Sequence, residues 1–368
     1  TINQYQYKVG QFLHMSFFNL FFPKKMVGVD VGTSSIKVVE ISRLRQGKTL
    51  ENYAQITSEH LYKDPGVAQE KGNTLLAKEF VARAVKAMLQ EAKIKTKAAV
   101  FSIPDFATFC TSFEIPPMPE KEIPGAVRYN ASQYITLPIS EVTLDWKIIS
   151  NPKDKNALLK VFLAAVPNQV VQEYQWIAKE AGLDLHALEA EALGIARSAI
   201  KSGKKLVCLL DIGVQSSTVN LVENGFLRRS YSFNFNSNQL IKALISALRL
   251  DAAQASKIVN TEGLLSAKPG VSQTLYPLVD PLLLEVKNIS AEFYQQEQKT
   301  VEEIYITGGM ANLPGLKEYF SESLKKNVYV PNCFSEFFYP PILESTLKEM
   351  SPSFSAAVGV AVGGLTLR

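Results

Sequence analysis

The sequence predicts an α/β protein built from two similar lobes, each a mixed β-sheet flanked by helices. The prediction rests on a device that occurs twice, an apolar strand that ends in Asp-x-Gly and is followed by small hydroxyl residues. The copies are Val27–Ser35 (VGVDVGTSS) and Leu209–Thr218 (LLDIGVQSST), and each opens about half of the chain. A second alternating strand follows each copy, as in a β-hairpin. We therefore expect two related domains that clamp a charged ligand between them.

Bulk composition is that of an ordinary globular protein. Of the 368 residues, 46% are hydrophobic and 20% are charged, and the formal net charge is +4. This length suggests two or three domains, and so mild a charge does not demand a nucleic acid partner. Cys110, Cys208 and Cys333 are too widely spaced for a zinc motif or a disulfide framework, which predicts reduced thiols.

Residues 1–25 are predicted to be a leader to the folded lobes. The chain begins with Thr1 and its first methionine is Met15, so we expect part of this leader not to be native. The apolar run Phe12–Phe22 is too short to span a bilayer and lacks the cleavage site of a signal peptide. Its aromatic stretch Ser16–Phe22 precedes two lysines, and two interpretations stay open: contact with a membrane surface, or docking on the protein itself.

The core of the first lobe is predicted over residues 26–104. Alternating and apolar runs predict a meander of three strands, and apolar residues at helical spacing predict a helix. A short apolar run closed by Pro104 predicts one more buried strand. The predicted strands are Met26–Val31, Ile36–Ile41, Thr49–Ser58 and Ala98–Ile103, and the predicted helix is Thr74–Glu91.

Residues 105–183 differ in sequence pattern from the segments on either side. They are predicted to form a small subdomain inserted into the first lobe. The expected order is strand, helix, strand, strand, helix. Pro119 and Glu120 suit the first turn of the first helix, whereas Asn168 and Gly182 are the expected cap and stop of the second. The predicted strands are Thr108–Ile115, Val142–Ser150 and Ala157–Val166, and the predicted helices are Pro119–Tyr134 and Asn168–Gly182.

Residues 184–203 are predicted to return to the first lobe and to contain a connecting helix, Glu189–Ile200. The second lobe then repeats the meander over residues 204–235, with Asn224-Gly225 as a hairpin turn. A helical block is expected over residues 236–299, and residues 300–368 return to the sheet. The predicted strands are Leu206–Asp211, Ser216–Glu223, Phe226–Phe233, Glu303–Thr307 and Asn327–Val330, and the predicted last helices are Leu313–Lys325 and Ser353–Gly364.

The two Asp-x-Gly loops are chemically suited to phosphate. Glycine lets the backbone approach an oxygen cluster, and the amides and hydroxyls that follow it can donate to phosphate oxygens. Lys37 adds a point charge. Asp30 and Asp211 are expected to face each other and to hold Mg²⁺ through water. The candidate phosphate and metal residues are Asp30, Gly32, Thr33, Ser34, Ser35 and Lys37 in the first loop and Asp211, Gly213, Ser216, Ser217 and Thr218 in the second.

A third element is the strand Ile304–Thr307, which runs into Gly308-Gly309-Met310 before a predicted helix. Such a junction leaves a floor without side chains at a helix N-terminus, where an adenine ring or an α-phosphate can lie. One hairpin or one such junction alone is ordinary structure. The three together predict a site for an adenine nucleotide and Mg²⁺.

In this order, the three loops resemble those of the actin, Hsp70 and sugar-kinase superfamily. The insertion narrows the resemblance to the FtsA-like branch. Within that branch, the PilM family of type IV pilus assembly proteins is similar at Pro117–Ile123 (PMPEKEI), Gln133–Pro138 (QYITLP) and Glu141–Trp146 (EVTLDW), and also at Phe17–Lys25 and Gly363–Arg368. The resemblance covers about residues 16–368. It implies an actin-like ATPase fold whose insertion is a 1C, or SHS2-like, subdomain.

The resemblance also implies residue roles. Glu191 stands where the superfamily places an acid near the metal and the attacking water, so Glu191 and Asp211 are the catalytic candidates. Gln254 and Lys257 occupy the position of a ribose and base contact, although Gln254 replaces an acid and brings no charge. No residue pattern requires fast turnover, and at most slow ATP hydrolysis is expected.

By the same resemblance, ATP and Mg²⁺ would gate a cytoplasmic scaffold held at the inner membrane by partner proteins. The expected partners are the N-terminal tail of PilN and the PilN/PilO complex, with self-association left open and no nucleic acid. The tail would lie along Thr108–Ile115, in a groove between the first lobe and the insertion. Two alternatives stay open: an FtsA-like filament protein of cell division, and a small-molecule kinase with Asp105 as its base.

Overall fold

The computed structural model describes residues 24–44, 47–57, 77–149, 157–200, 206–213, 216–233, 235 and 238–367. Most of the predicted leader, the first residues of the predicted helix Thr74–Glu91 and two residues of the second Asp-x-Gly loop lie outside these ranges.

Strands and helices alternate along the described chain. The strands are β1 (Lys24–Val31), β2 (Ser35–Leu44), β3 (Gly47–Thr57), β4 (Ala98–Ile103), β5 (Phe109–Ile115), β6 (Val142–Ile148), β7 (Leu159–Pro167), β8 (Asp184–Ala190), β9 (Leu206–Ile212), β10 (Ser217–Glu223), β11 (Phe226–Phe233), β12 (Glu303–Thr307), β13 (Asn327–Tyr329) and β14 (Phe337–Phe338). The helices are α1 (Lys78–Glu91), α2 (Ile123–Ala131), α3 (Asn168–Ala181), α4 (Glu191–Ala199), α5 (Asn238–Leu248), α6 (Ala252–Thr261), α7 (Val271–Glu297), α8 (Leu316–Leu324) and α9 (Glu344–Thr366).

Two sheets have the same topology. The described strands of the first sheet lie in the order β14-β3-β2-β1-β4-β8, and those of the second in the order β11-β10-β9-β12-β13. Each contains an antiparallel meander, β1-β2-β3 or β9-β10-β11. On its other side the first strand of each meander pairs with a parallel strand, β4 or β12. The repeated sequence device therefore opens a repeated sheet.

A third, antiparallel sheet of the order β5-β7-β6 belongs to the segment between β4 and β8. Helix α2 covers it, with Val127 and Ala131 packed against Phe113 and Leu163. Helix α3, which follows β7, packs instead with α1 under the first sheet. The predicted order of strand, helix, strand, strand, helix is found here.

Helices α4 and α9 lie between the two large sheets. Helix α9 covers one face of the first sheet, where Phe354 and Val358 pack on Met26 and Val39. Helix α4 joins the second sheet through a cluster that includes Ile195 and residues of β9. Helices α5 to α8 pack on the other face of the second sheet. The Asp-x-Gly loops are thereby held at corresponding ends of two braced sheets.

Several predicted element bounds were wrong. The helix predicted from Pro119 begins at Ile123, since residues 119–122 form a turn and Pro124 is the proline of the first helical turn. Asn168 does not cap α3, because its side chain bonds Thr143 and the Ser140 carbonyl. The last helix begins at Glu344 and continues through the buried Pro352.

Other predicted details are confirmed. Asn224 and Gly225 both have positive φ, as a type I′ hairpin turn requires, and Gly182 ends α3 in the left-handed conformation. The three cysteines are free.

Candidate functional site

The two Asp-x-Gly loops close in the same way. In the first, the N–H of Gly32 donates to the carbonyl of Ser35 at 3.0 Å, and in the second the N–H of Gly213 donates to the carbonyl of Ser216 at 3.0 Å. These tight turns follow directly from β1 and β9 and bring the small hydroxyl residues next to the strand ends. The predicted phosphate residues therefore occupy two equivalent turns, one in each lobe.

Asp30 is held at the end of β1 by neighbours on both sides. Lys37 lies opposite it on β2 and places Nζ 3.3 Å from Asp30 Oδ2. Ser102, on β4, donates to Asp30 Oδ1 at 2.7 Å. Only 3% of the surface of Asp30 is exposed. Charge pairing and a hydrogen bond thus fix this carboxylate in one orientation.

Asp211 occupies the equivalent position at the end of β9. Thr307, on the parallel strand β12, donates to Asp211 Oδ1 at 2.9 Å. Thr218 faces Asp211 as Lys37 faces Asp30, so this lobe lacks the matching cation. Burial raises the pKa of Asp211 to about 6, opposed by the Thr307 hydrogen bond. This carboxyl therefore loses its proton at a higher pH than an ordinary aspartate does.

Glu191 is the first residue of α4 and faces both loops. Burial raises its pKa well above the ordinary value, and the charges of Asp30, Asp211 and Asp105 raise it further. Lys37 acts in the opposite direction. Four carboxyl groups thus interact with one another, and Lys37 is the cation that acts on three of them, Asp30, Glu191 and Asp211. Such a cluster must either keep protons or take up a cation.

Mg²⁺ fits this site if other ligands complete its coordination. No three His, Cys, Asp or Glu side chains in the described ranges are arranged to hold a metal ion by themselves. Mg²⁺ usually keeps several waters and takes one or two protein carboxylates together with phosphate oxygens. Asp30 and Asp211, with the excess negative charge around them, suit that role.

The Gly-Gly loop is tied to the second Asp-x-Gly loop. Gly308 has φ +87°, and a Cβ atom there would lie 2.4 Å from the carbonyl oxygen of Ile212. The N–H of Met310 donates to that same carbonyl at 3.4 Å. Gly309 is exposed, and a Cβ atom there would meet no atom within 4 Å. The loop is thus rigid at Gly308 and open at Gly309.

One of the two predicted nucleotide contacts on α6, Gln254, has a structural role of its own. Gln254 forms a capping box with Asp251 at the start of α6: its N–H donates to Asp251 Oδ1 at 2.7 Å, and its Oε1 accepts from the Asp251 N–H at 3.2 Å. Both Gln254 and Lys257 are exposed. Their contact with ribose or base stays a prediction.

Among the hydroxyl residues, Ser217 is the most distinctive. It is fully buried, and its Oγ has no hydrogen-bond partner among the described residues. Thr218 pairs with Ser232 at 3.1 Å, whereas Thr33 and Ser34 are half-buried at the first turn. A buried hydroxyl without a partner is costly, so Ser217 has a donor available for a ligand oxygen.

The site contains residues that the sequence patterns missed. Ser102 and Thr307 orient the two aspartates, and Asn220 on β10 bonds Asp105. Ser102 is the single polar residue of β4, and Asn220 lies between Val219 and Leu221 on β10, so a sequence signal was available for these two. Asp105 was considered only as a kinase base, but both of its oxygens accept hydrogen bonds from the protein.

Comparisons with known proteins show the family of this chain and likenesses of its fold. The sequence model of the type IV pilus assembly protein PilM family matches residues 28–365. A solved PilM-PilN type IV pilus biogenesis complex has a TM-score of 0.77 at 23% identity, over 93% of this chain and 99% of that chain. The ethanolamine utilization protein EutJ from Carboxydothermus hydrogenoformans has a TM-score of 0.55 at 17% identity, over 94% of this chain and 91% of that one.

The likenesses confirm the predicted actin-like ATPase fold. None of the helices in the described part of the chain is long and apolar enough to cross a membrane. The family match extends from β1 into the last helix and takes in both lobes and the insertion. The chain belongs to the PilM family of type IV pilus assembly proteins.

Proposed function

We propose that this protein binds ATP and Mg²⁺ between its two lobes and acts as a nucleotide-gated scaffold in type IV pilus assembly. The observation that carries the proposal is a cluster of acids at the two equivalent loops: Asp30 and Asp211 end the two strands, Glu191 and Asp105 interact with them, and Lys37 is the cation paired with Asp30. The cluster has more negative charge than its surroundings neutralise, so a cation bound with phosphate stabilises it.

In this proposal each lobe contributes one phosphate loop. Asp30 and Asp211 hold Mg²⁺ through water, and Lys37 contacts phosphate. Backbone amides and hydroxyls complete the two loops, and the open loop around Gly309 takes the adenosine. The remaining contacts are assigned to Gly32, Thr33, Ser34, Ser35, Gly213, Ser216, Ser217, Thr218, Gln254, Lys257, Gly308 and Met310.

Hydrolysis in this arrangement is slow at most. Glu191 and Asp211 are the residues placed to orient or deprotonate an attacking water. Burial and the neighbouring carboxylates raise the pKa of Glu191, which favours its protonated form, and a protonated acid is a poor general base. The principal effect of ATP is then to tie the lobes together, because each lobe supplies a loop to the same phosphates.

The proposed partner is the cytoplasmic N-terminal tail of PilN. A solved structure with the same fold is that of a PilM-PilN type IV pilus biogenesis complex. In this chain β5 is an edge strand of the small sheet, and Phe106 and Phe109 at its start are 45% and 38% exposed. An extended tail can lie along such a strand beside apolar side chains. The protein would thereby be held at the inner membrane, next to the PilN/PilO complex.

A peptide titration tests this proposal. A labelled PilN-tail peptide is titrated with the full chain, with Mg²⁺ and ATP and again with EDTA, while a scrambled peptide of equal charge serves as the control. We expect saturable binding of the tail alone, with an affinity that depends on nucleotide. Equal binding of both peptides, or none, would overturn the partner assignment.

The two alternatives are weaker. Family membership favours pilus assembly over an FtsA-like role in cell division. The kinase alternative needs Asp105 as a free base, but Asp105 accepts from the Ala192 N–H and from Asn220. Polymerisation with ATP would support the filament role, and sugar-dependent ADP release would support the kinase.

A further inference from the structure

Asp105 stands where three parts of the molecule meet. It begins the short turn Asp105–Ala107, which leads from β4 of the first sheet into β5 of the insertion. The same side chain reaches the start of α4 and the second sheet. A change at any of these parts therefore acts on the first residue of the inserted segment.

The hydrogen bonds of Asp105 define this junction. Its Oδ1 accepts from the N–H of Ala192 at 3.0 Å, and Ala192 directly follows Glu191 of the nucleotide site. Its Oδ2 accepts from Nδ2 of Asn220 at 3.2 Å. Asn220 lies on β10, opposite Leu209 and two residues beyond Thr218, which faces Asp211. The bonds thus connect the surroundings of Glu191 and of Asp211.

Asn220 has little freedom to adjust. Its exposed fraction is 0%, and its Oδ1 is buried without a hydrogen-bond partner in the described part of the chain. A buried amide oxygen without a hydrogen-bond partner lowers the stability of the folded state. Among the described residues, the Asn220 side chain bonds Asp105 alone. Displacement of β10 therefore breaks that bond or moves the Asp105 turn.

The insertion also packs on the second lobe beside this bond. Phe162 of β7 belongs to one cluster with Val207 and Leu227 of the second sheet. The rings of Phe162 and Phe226 have centroids 6.5 Å apart, and Nζ of Lys147 lies 5.4 Å from the Phe226 ring centroid. The insertion therefore packs against both lobes. A change in the relative position of the lobes must alter these packing contacts.

The geometry points to Asp105 as the positioning residue that links the nucleotide site to the inserted subdomain, with Asn220 as its partner on the second lobe. This inference rests on the proposed nucleotide and tail binding. When the lobes close on ATP, β10 and the start of α4 move the turn that begins β5, and β5 is the strand proposed to receive the tail. The electrostatics agree, since the Asp105 charge contributes to the raised pKa of Glu191 and of Asp211.

Two variants separate the bond from the charge. Asn220→Ala removes the bond to the second lobe and leaves the Asp105 charge and its bond to Ala192. Asp105→Asn removes the charge but can keep both bonds, because its new Nδ2 can donate to the unpaired Oδ1 of a rotated Asn220 amide. Asn168→Ala is the matched control, since among the described residues the Asn168 side chain bonds Thr143 and the Ser140 carbonyl, both within the insertion.

The first measurement is amide hydrogen exchange of the nucleotide-free full chain. We expect Asn220→Ala to speed exchange over residues 105–115 by roughly fivefold, the effect of one lost hydrogen bond, while the helices of the first lobe keep wild-type protection. Asp105→Asn should stay close to wild type, and Asn168→Ala should leave residues 105–112 unchanged. Unchanged exchange in Asn220→Ala would overturn the inference, whether or not the protein binds ATP.

The second measurement is the ratio of PilN-tail affinities with and without Mg²⁺ and ATP. Asn220→Ala should bring this ratio close to one while ATP still binds, and Asp105→Asn, which can keep the bond, should retain most of the wild-type ratio. A wild-type protein that binds no ATP would overturn the proposed function, and the exchange result would still decide the inference. A wild-type ratio retained in Asn220→Ala would overturn the inference alone.

Discussion

The charge of Lys37 partly opposes the rise in the pKa of Glu191 and of Asp211. Lys37 also pairs with Asp30. In the second lobe the equivalent position is occupied by Thr218. The repeated loops are therefore alike in backbone but unlike in charge. A ligand that brings both phosphate and a divalent cation satisfies this asymmetry, because the phosphate meets Lys37 and the cation meets the unpaired carboxylates.

Replacing Lys37 should weaken the binding of phosphate groups and leave the binding of adenosine unchanged. We expect Lys37→Ala to weaken ATP by about tenfold or more and to leave adenosine affinity nearly unchanged, because a lost charged hydrogen bond is worth roughly 1.5–3 kcal/mol. Calorimetric titration of both ligands measures this. Lys257→Ala is the matched control, since its predicted contact would weaken both ligands equally. Equal losses in Lys37→Ala would indicate damage to the fold.

Replacing Asp211 should separate binding from stability. Asp211→Asn keeps an acceptor for Thr307 but removes the carboxylate proposed to hold Mg²⁺, so Mg²⁺-dependent ATP binding should be lost. The folded-state pKa of about 6 exceeds the ordinary 3.8. This group therefore costs stability increasingly as pH rises from about 4 to 6, and the full cost persists above 6.

The nucleotide-free variant should thus unfold at a higher temperature than wild type at pH 7.5. We expect a gain on the order of 1–2 kcal/mol, because each unit of pKa corresponds to about 1.4 kcal/mol and part of the group is accessible to solvent. The difference should shrink towards pH 4.5. Thermal unfolding across this range measures it, and a variant less stable than wild type at every pH would contradict the raised pKa.

For single residues, the sequence predicted which ones form each loop, but not which side chains donate hydrogen bonds to the two aspartates. Asp30, Asp211 and the glycines follow a local pattern, and both turns are closed as the pattern suggests. Ser102 and Thr307 come from strands distant in sequence, so only the sheet topology brings them to the aspartates. Local patterns contain no information on such pairing.

Among the elements, α4 and α9 cross in close backbone contact at Gly194 and Gly359. A Cβ atom at Gly359 would lie 1.7 Å from the carbonyl oxygen of Gly194. Arg197 of α4 also donates to the carbonyl of Gly359 at 2.9 Å, and Ser198 donates to that of Ser355 at 2.7 Å. Because α4 begins at Glu191, this contact sets where the catalytic candidate lies.

Adding one methyl group at this crossing should damage the protein. Gly359→Ala forces the backbones of two helices apart, and overpacking of this kind costs about 1–3 kcal/mol or more. Thermal unfolding should show the loss, together with weaker ATP binding. Gly125→Ala, in α2, is the matched control: its Cβ atom would meet nothing within 4 Å, so its melting temperature should not fall. A stable Gly359→Ala variant would show that the helices can separate freely.

Elements with a strong period were predicted well, and their ends were predicted less well. The strands Ala98–Ile103 and Glu303–Thr307 have the predicted bounds because they are short, buried and sharply ended. Asp184–Ala190 was missed as a strand, since its mixed polar sequence lies at a sheet edge. Helix α9 was predicted too short, because a proline inside a buried helix was not expected.

For the whole molecule, duplication explains most of what the sequence could predict. Two copies of one hairpin open two sheets that share the order of five strands, with β14 added at the edge of the first, and this arrangement brings Asp30 and Asp211 to one cluster of charge. The sequence could not predict that the insertion packs on the second lobe, where Phe162 and Leu227 belong to one hydrophobic cluster. This packing depends on contacts between segments far apart in the chain.

The central claim is that the two repeated loops together hold one nucleotide. A crystal structure of the full chain grown with Mg²⁺ and a non-hydrolysable ATP analogue tests it most directly. The account predicts density for the triphosphate between Gly32–Ser35 and Gly213–Ser217, with Mg²⁺ near Asp30 and Asp211 and the base beside Gly309. An analogue bound elsewhere, or a site that stays without nucleotide at saturating concentration, would contradict it.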